Sequence, residues 1–368
     1  MLQEGSFALL STVLVDGSPD YGVSVVAFDE FEELLWAGNQ NGHLTSYNGW
    51  LLSKYTSFQA LSDQELRSLL FNDNGVLILG KSAIKMMTRQ GLSVFICNFA
   101  DTFDFQCFVV NPFLPDMIII GGLQPTLSIF SMETCTEILQ VILEEQDCVV
   151  MRNTDALLVT GHSNGKVCLR DPMNMHLLSE LQPHSGSLSD VAYFDNKLVT
   201  CGFSLMNDLL SCDPFIFLYD ARTMNAIASI PVQIDPYYIR FIATHPNQLV
   251  VVSQAGEFQI IDFSGVDKGL VTCLDSNEAI RCLSIDVSPT GHCIAFGDEI
   301  GTLHVFANRS HPMFVANARS IVLPDPVEAT PAIPFDDLNT PLSIIPVPLT
   351  GLPLLSNWPE EFCKRVYR

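Results

Sequence analysis

Basic residues are scarce in this chain. Its 18 Lys and Arg stand against 41 Asp and Glu, a formal net charge of −23. Nucleic-acid binders draw most of their affinity from cations on phosphates and the counterions those contacts release. No basic stripe is present to do this; the densest run is Lys364, Arg365 and Arg368. Direct RNA binding is therefore disfavoured, and the acidic surface points to protein partners or simple solubility. Paired cysteine motifs are missing too. The 11 cysteines are an odd number without one CxxC, which argues against a zinc site or a disulfide framework. Buried thiols in a reducing compartment explain them better. No apolar run reaches transmembrane length. Phe7 to Val15 has the length of a signal core, but Glu4 and no Lys or Arg precede it. The expectation is a soluble, intracellular protein.

What is abundant is apolar side chain. Hydrophobic residues make up 48 % of the 368 positions and charged ones 16 %, enough for a sizeable core. That length suits two domains or one large all-β domain. Self-similarity decides between them. The stretch "LLVTGHSNGKVCLRD" from Leu157 has an apolar run, a glycine, a second glycine four residues on, and apolar alternation. "LLWAGNQNGHLTSY" from Leu34 and "CIAFGDEIGTLHVF" from Cys293 match it, and weaker copies lie between. Anchoring each copy gives Gly38, Gly80, Gly121, Gly161, Gly202, Ser253 and Gly297, spaced by 42, 41, 40, 41, 51 and 44 residues. This is the blade period of a WD40-type β-propeller. The long interval holds an insertion, "SLMNDLLSCDP", before Phe215.

Each copy thus reads as two central strands joined by a tight turn. The seven anchors are expected in those turns, where glycine tolerates positive φ. Arg170-Asp171 and Tyr219-Asp220 close two copies like WD dipeptides. The predicted fold is all-β: seven blades over about residues 23–306, then an extended Pro-rich tail. Residues 1–22 form an N-terminal segment with Phe7 to Val15 as ring-closing strand, 23–323 the propeller, and 324–368 the tail. Only "ALSDQELRSLL" from Ala60 offers a competing helical spacing.

Catalytic readings fare poorly. "GHSNGK" lacks the spacing and the hydroxyl of a P-loop. Asp63 and Glu65 form an Asp-x-Glu pair, but no further carboxylate segments join them as a two-metal nuclease needs. Cys201 and Cys212 flank the insertion and read as packing residues rather than nucleophiles. His162 reads as a polar turn residue. Loops and rims remain, with the insertion from Leu205 to Pro214 as the candidate for specialisation.

The tail departs from plain linker chemistry. It is dense in proline, which favours an extended path. Yet Ile344, Ile345, Val347, Leu349, Leu354, Leu355 and Trp358 would be left wet unless they dock. Together with "GHSNGKVCLRD", "SGSLSDVAYFDNKLVTCGFS" and "IDPYYIRFIATHPNQLVVVSQAG", the tail phrase "PLSIIPVPLT" and "YTSFQ" at Tyr55 resemble one family. It is the catalytic subunits of poly(A) nuclease deadenylation complexes, in their N-terminal region. The resemblance implies a propeller and linker followed by an inactive ubiquitin-protease-like domain and a DEDD-type 3′–5′ exoribonuclease domain. This chain stops at Arg368, before both. It is therefore expected to be a fragment or truncated product, non-catalytic and without a cofactor of its own; a divalent metal, magnesium, belongs to the nuclease domain.

The implied partner is a dimeric pseudokinase-like regulatory subunit, with poly(A)-binding protein and mRNA poly(A) tails reached indirectly. The seven apolar tail residues are the candidate partner-binding set. No membrane role is expected. The expected location is the cytoplasm, P-bodies included, with a minor nuclear fraction. Alternatives are a module contacting the poly(A) ribonucleoprotein directly, or a WD40 adaptor of an unrelated complex.

Overall fold

A computed structural model describes residues 7–17, 20–99, 103–144, 147–154, 156–206, 209–263, 271–274 and 280–321. They form seven antiparallel sheets arranged as blades. An opening strand, β1 (Ala8–Leu14), precedes blade 1, which is β2 (Val23–Phe28), β3 (Leu34–Asn39), β4 (His43–Asn48) and β5 (Ser53–Gln59). Blade 2 is β6 (Ser68–Asn72), β7 (Gly75–Leu79), β8 (Ala83–Met87) and β9 (Ser93–Asn98). Blade 3 is β10 (Phe105–Val110), β11 (Met117–Gly122), β12 (Thr126–Ser131) and β13 (Thr136–Ile142). Blade 4 is β14 (Val150–Asn153), β15 (Leu158–Gly161), β16 (Val167–Arg170) and β17 (Leu177–Leu181). Blade 5 adds a fifth strand: β18 (Leu188–Phe194), β19 (Lys197–Met206), β20 (Leu209–Cys212), β21 (Phe215–Asp220) and β22 (Asn225–Pro231). Blade 6 is β23 (Tyr238–Ile242), β24 (His245–Val252), β25 (Glu257–Asp262) and β26 (Val271–Cys273). Blade 7 is β27 (Cys282–Val287), β28 (Cys293–Asp298) and β29 (Thr302–Ala307), with β1 as its outer strand. The β1–β29 ladder runs from Ala8↔Ala307 to Leu14↔Thr302 and closes the ring.

The core is a set of seams between blades. Apolar clusters such as Val23, Leu35 and Ala295 (blades 7 and 1) or Val159, Leu188 and Leu198 (blades 4 and 5) each draw on two neighbouring sheets. The second strand of each blade is buried on both faces, so β3, β11 and β28 read as continuous apolar runs.

The anchor residues need a correction. Gly38, Gly121, Gly161, Gly202 and Gly297 lie inside strands, and Gly80 and Ser253 directly follow β7 and β24. None of the seven has positive φ; the left-handed positions are the second glycines, Gly42, Gly165, Gly256 and Gly301. Six of the anchors are glycine because the neighbouring chain presses on them; the seventh is Ser253. A Cβ at Gly38 would sit 2.8 Å from Leu66 Cδ1, and one at Gly161 would sit 2.2 Å from Leu188 Cδ2. Opposite Gly38, Gly121, Gly202 and Gly297 the inner strand carries a bulge. A glycine kept for close approach and one kept for a turn look alike in sequence.

The helical spacing after Ala60 also yields to packing. Ala60 to Arg67 is irregular and β6 starts at Ser68, because Leu61 and Leu66 plug the seam between blades 1 and 2. The chain leaves β29 as a strap. Phe314 is fully buried on Phe28, its ring centroid 5.0 Å away, and Glu33 accepts the Phe314 and Val315 amides at 2.6 and 3.0 Å. Arg319 donates its amide to Phe31 at 2.8 Å and pairs with Asp73. Residues 322–368 lie outside the described residues, and with them Ile344, Ile345, Val347, Leu349, Leu354, Leu355 and Trp358.

Candidate interaction surface

The inner strands of all seven blades line a central channel of 1190 Å³. Its charges are arranged between blades. Asp190 on β18 accepts from Arg152 Nη2 of β14 at 2.9 Å, from Arg240 of β23, and from the Ile239 amide at 3.1 Å. Asp286 on β27 accepts the Phe28 amide of blade 1 at 2.8 Å. Burial pushes the Asp286 and Glu30 carboxyls up, and for Glu30 the Asp286 and Asp29 charges add to it. Asp190 bonds both guanidiniums, and the same two cations act on the nearby Asp286 carboxyl, so the network ties blades 4, 5 and 6 together.

The suspected catalytic residues take structural places. Glu65 sits 3.6 Å from Arg67, which also pairs with Asp104 at 2.7 Å, and Asp63 is exposed. Among the described residues no three His, Cys, Asp or Glu side chains are grouped to hold a metal. His162 opens the turn between β15 and β16, its amide donating to the Lys166 carbonyl at 3.0 Å, as a polar turn residue should. It is fully buried, its Nε2 lies 3.1 Å from Thr160 Oγ1, and its Nδ1 meets the Asp147 carbonyl.

Burial pushes the thiol of Cys201 well up and that of Cys212 up to about 11, leaving both protonated at neutral pH. Cys282 and Cys293 are pushed to about 12 for the same reason. Iodoacetamide at about pH 8 should accordingly label the exposed Cys273 in the folded chain. Cys107, Cys148, Cys201, Cys282 and Cys293, all buried, should react only after urea is added. Peptide mass spectrometry reads this out, and rapid native labelling of Cys201 would contradict it.

One polar group escaped the sequence reading. His184, fully buried in the segment entering blade 5, places Nδ1 2.5 Å from Asp213 Oδ2 and Nε2 3.2 Å from Thr200 Oγ1. The signal was "HSGSLSD", a histidine just upstream of an inner strand. Burial holds this imidazole below the ordinary histidine range, outweighing the Asp213 carboxylate that pulls the other way. The unfolded chain therefore binds the proton first as pH falls, and stability must drop below about pH 6.5. Two measurements check this. The His184 ring resonances should titrate with a midpoint below about 6.5, and the melting temperature should fall from about pH 7.5 to 5.5. A His184 midpoint above the ordinary value would reverse the sign.

The insertion is a hairpin, not an irregular loop. β19 runs ten residues and pairs with β20 through Ser204↔Ser211 and Leu205↔Leu210. The turn itself lies outside the described residues. Leu205, Leu209 and Leu210 are exposed, Leu209 to 73 %. The hairpin thus leaves an exposed row of leucines on blade 5, with the Leu205 amide tied to Ser185 Oγ at 3.0 Å.

Seven blades around a channel, closed by the opening strand, define a WD40-type β-propeller. The chain belongs to the PAN2 N-terminal family, whose model matches residues 3–307. It is 35 % identical over 359 residues to the PAN2-PAN3 deadenylation complex catalytic subunit PAN2 of Gallus gallus, covering 97 % of this chain and 30 % of that protein. The Homo sapiens counterpart is 34 % identical over 361 residues, with the same coverage. This chain thus spans about 30 % of the length of these relatives. The solved WD40 domain of Neurospora crassa Pan2 superposes with a TM-score of 0.76 at 23 % identity, covering 86 % of this chain and 99 % of that domain, a likeness of fold.

Proposed function

We propose that the chain is the non-catalytic interaction region of a poly(A)-tail-shortening nuclease, holding a regulatory subunit while chemistry happens elsewhere in the protein. The supporting observation is the family match over the whole propeller, to the N-terminal part of subunits named for a PAN2-PAN3 complex. The partner is then a PAN3 homologue, a dimeric pseudokinase-like subunit that brings poly(A)-binding protein and mRNA tails. The apolar tail docks it, with Trp358 as anchor, because large aromatics filling a pocket dominate binding energy. Prolines lower the entropy lost when such a peptide is fixed. The magnesium of the reaction belongs to the nuclease domain, and the setting is the cytoplasm and its P-bodies.

The purified chain should leave oligo(A) RNA intact in magnesium, yet co-elute with a PAN3 homologue on size exclusion. Chelator-sensitive shortening, or no co-elution, counts against the reading. Direct contact with the poly(A) ribonucleoprotein is the second reading. Asp190 answering both Arg152 and Arg240 weakens it, and salt-sensitive RNA binding by the chain alone would revive it.

A further inference from the structure

From Gln90 to Met151 the chain has no Lys, Arg or His, while it carries 8 Asp and Glu. This stretch supplies β9 and the whole of blade 3. Outer strands of a propeller present unpaired backbone, and proteins blunt such edges with lysine, proline or brevity. Here β5 carries Lys54, β22 ends on Pro231, and β26 is three residues long. β13, "TEILQVI", has none of these, and neither have β1, β9 and β17; what sets β13 apart is its one charge, Glu137, in a blade without any cation. It pairs with β12 on one side and ends its sheet on the other. Ile138, Leu139 and Ile142 are exposed, Ile142 to 80 %. The register slips at Ile138, and Leu139 to Ile142 then run regularly against Ile129 to Thr126. Exposed Glu133, Glu137 and Glu144 flank this edge.

We propose that the outer edge of blade 3 is a docking site for an extended segment of a partner protein in which apolar residues alternate with lysine or arginine, added as a fifth strand along β13. Main-chain hydrogen bonds to Leu139–Ile142 would hold the segment, and its apolar face would cover Ile142, Leu139 lying on the opposite face of β13. The cations answer an acidic rim with no competing positive charge in its own blade. A second copy of this chain fits badly, since it would set Glu133, Glu137 and Glu144 against like charges.

The test pans a displayed library of random decapeptides against the full chain, then measures a synthesised winner by fluorescence anisotropy. Winners should alternate apolar and basic residues and weaken steeply from about 50 mM to about 500 mM salt. Ile142→Lys, alone and with Leu139→Lys, should cut affinity roughly tenfold or more, because it sets like charge against the peptide. Ile227→Lys, on the outer strand of blade 5, should not. A photo-cross-linker in the peptide should attach within residues 136–144. Ile142→Lys alone suffices if the double variant does not fold. The proposal is overturned by winners without cations, by binding that Ile142→Lys leaves intact, by cross-links elsewhere, or by no enrichment. It is equally overturned if the chain dimerises in sedimentation and Ile142→Lys abolishes the dimer.

Discussion

Replacing Arg89 with alanine should lower the stability of the propeller by about 3–5 kcal/mol, the range for stranding one half of a buried ion pair. Arg89 follows β8 of blade 2 and reaches Asp29 of blade 1 by two bonds, Nε to Oδ2 at 2.7 Å and Nη2 to Oδ1 at 2.9 Å. Asp29 is wholly buried and Arg89 only 6 % exposed. Asp29 also accepts the Phe31 and Glu32 amides, at 2.9 and 3.2 Å, so the carboxylate cannot swing out to water without breaking the turn. The Arg89 guanidinium lies 5.5 Å from the Phe31 ring centroid, and that of Arg319 in the exit strap lies 4.9 Å from it. Deleting Arg89 thus removes a bridge between blades and leaves a bare charge beneath the strap. The midpoint of urea unfolding measures it, with Arg222→Ala as a comparison. Arg222 pairs with Asp220 at 3.3 Å on the surface, where solvent screens the pair and its loss should barely move the midpoint. Equal losses in the two variants would remove the special role of Arg89.

The second large effect concerns the tail. Ending the chain after Ala329 should abolish binding to the PAN3 homologue while shifting the melting temperature by no more than about 2 °C. The stability half rests on the strap. Phe314, Val315 and Arg319 complete the contacts with blades 1 and 2, and all precede the cut. The binding half rests on the apolar density from Ile344 to Trp358. Trp358→Ala in the intact chain should weaken binding by roughly thirtyfold, about 2 kcal/mol. A truncated chain that melts much earlier yet still binds would make the tail a brace of the propeller, and would move the docking site onto the blades.

Much of this architecture was legible because a propeller repeats its demands. Each blade needs a two-face-buried second strand, a glycine where the next blade presses in, and a tight turn; those demands recur at nearly constant spacing. What the repeat did not encode stayed hidden. His184 works through Asp213, 29 residues away, and only the fold brings the two together. His162 was legible as a polar turn residue, but its burial was not, because the Asp147 carbonyl that closes over it comes from 15 residues away. The β19–β20 hairpin broke the period and so registered as an interruption, although "SLMNDLLSC" has leucines on either side of an Asn-Asp step. The Asp190 cluster joins three blades through residues 38 and 50 positions apart. No local pattern marks such partners.

Ring closure by β1 sets a timetable for biosynthesis. Ala8 finds its partner in Ala307, 299 positions later, so the first strand made must wait for the last. At about 5–20 residues per second, translation leaves it without its ladder for some fifteen to sixty seconds. During that wait the nascent chain is an open arc with an uncovered edge at each end. β29 remains such an edge until β1 arrives, and β1 itself is an apolar strand, "ALLSTVL". Chaperone occupancy on ribosomes should therefore persist across the whole propeller and fall only after Ala307 has emerged.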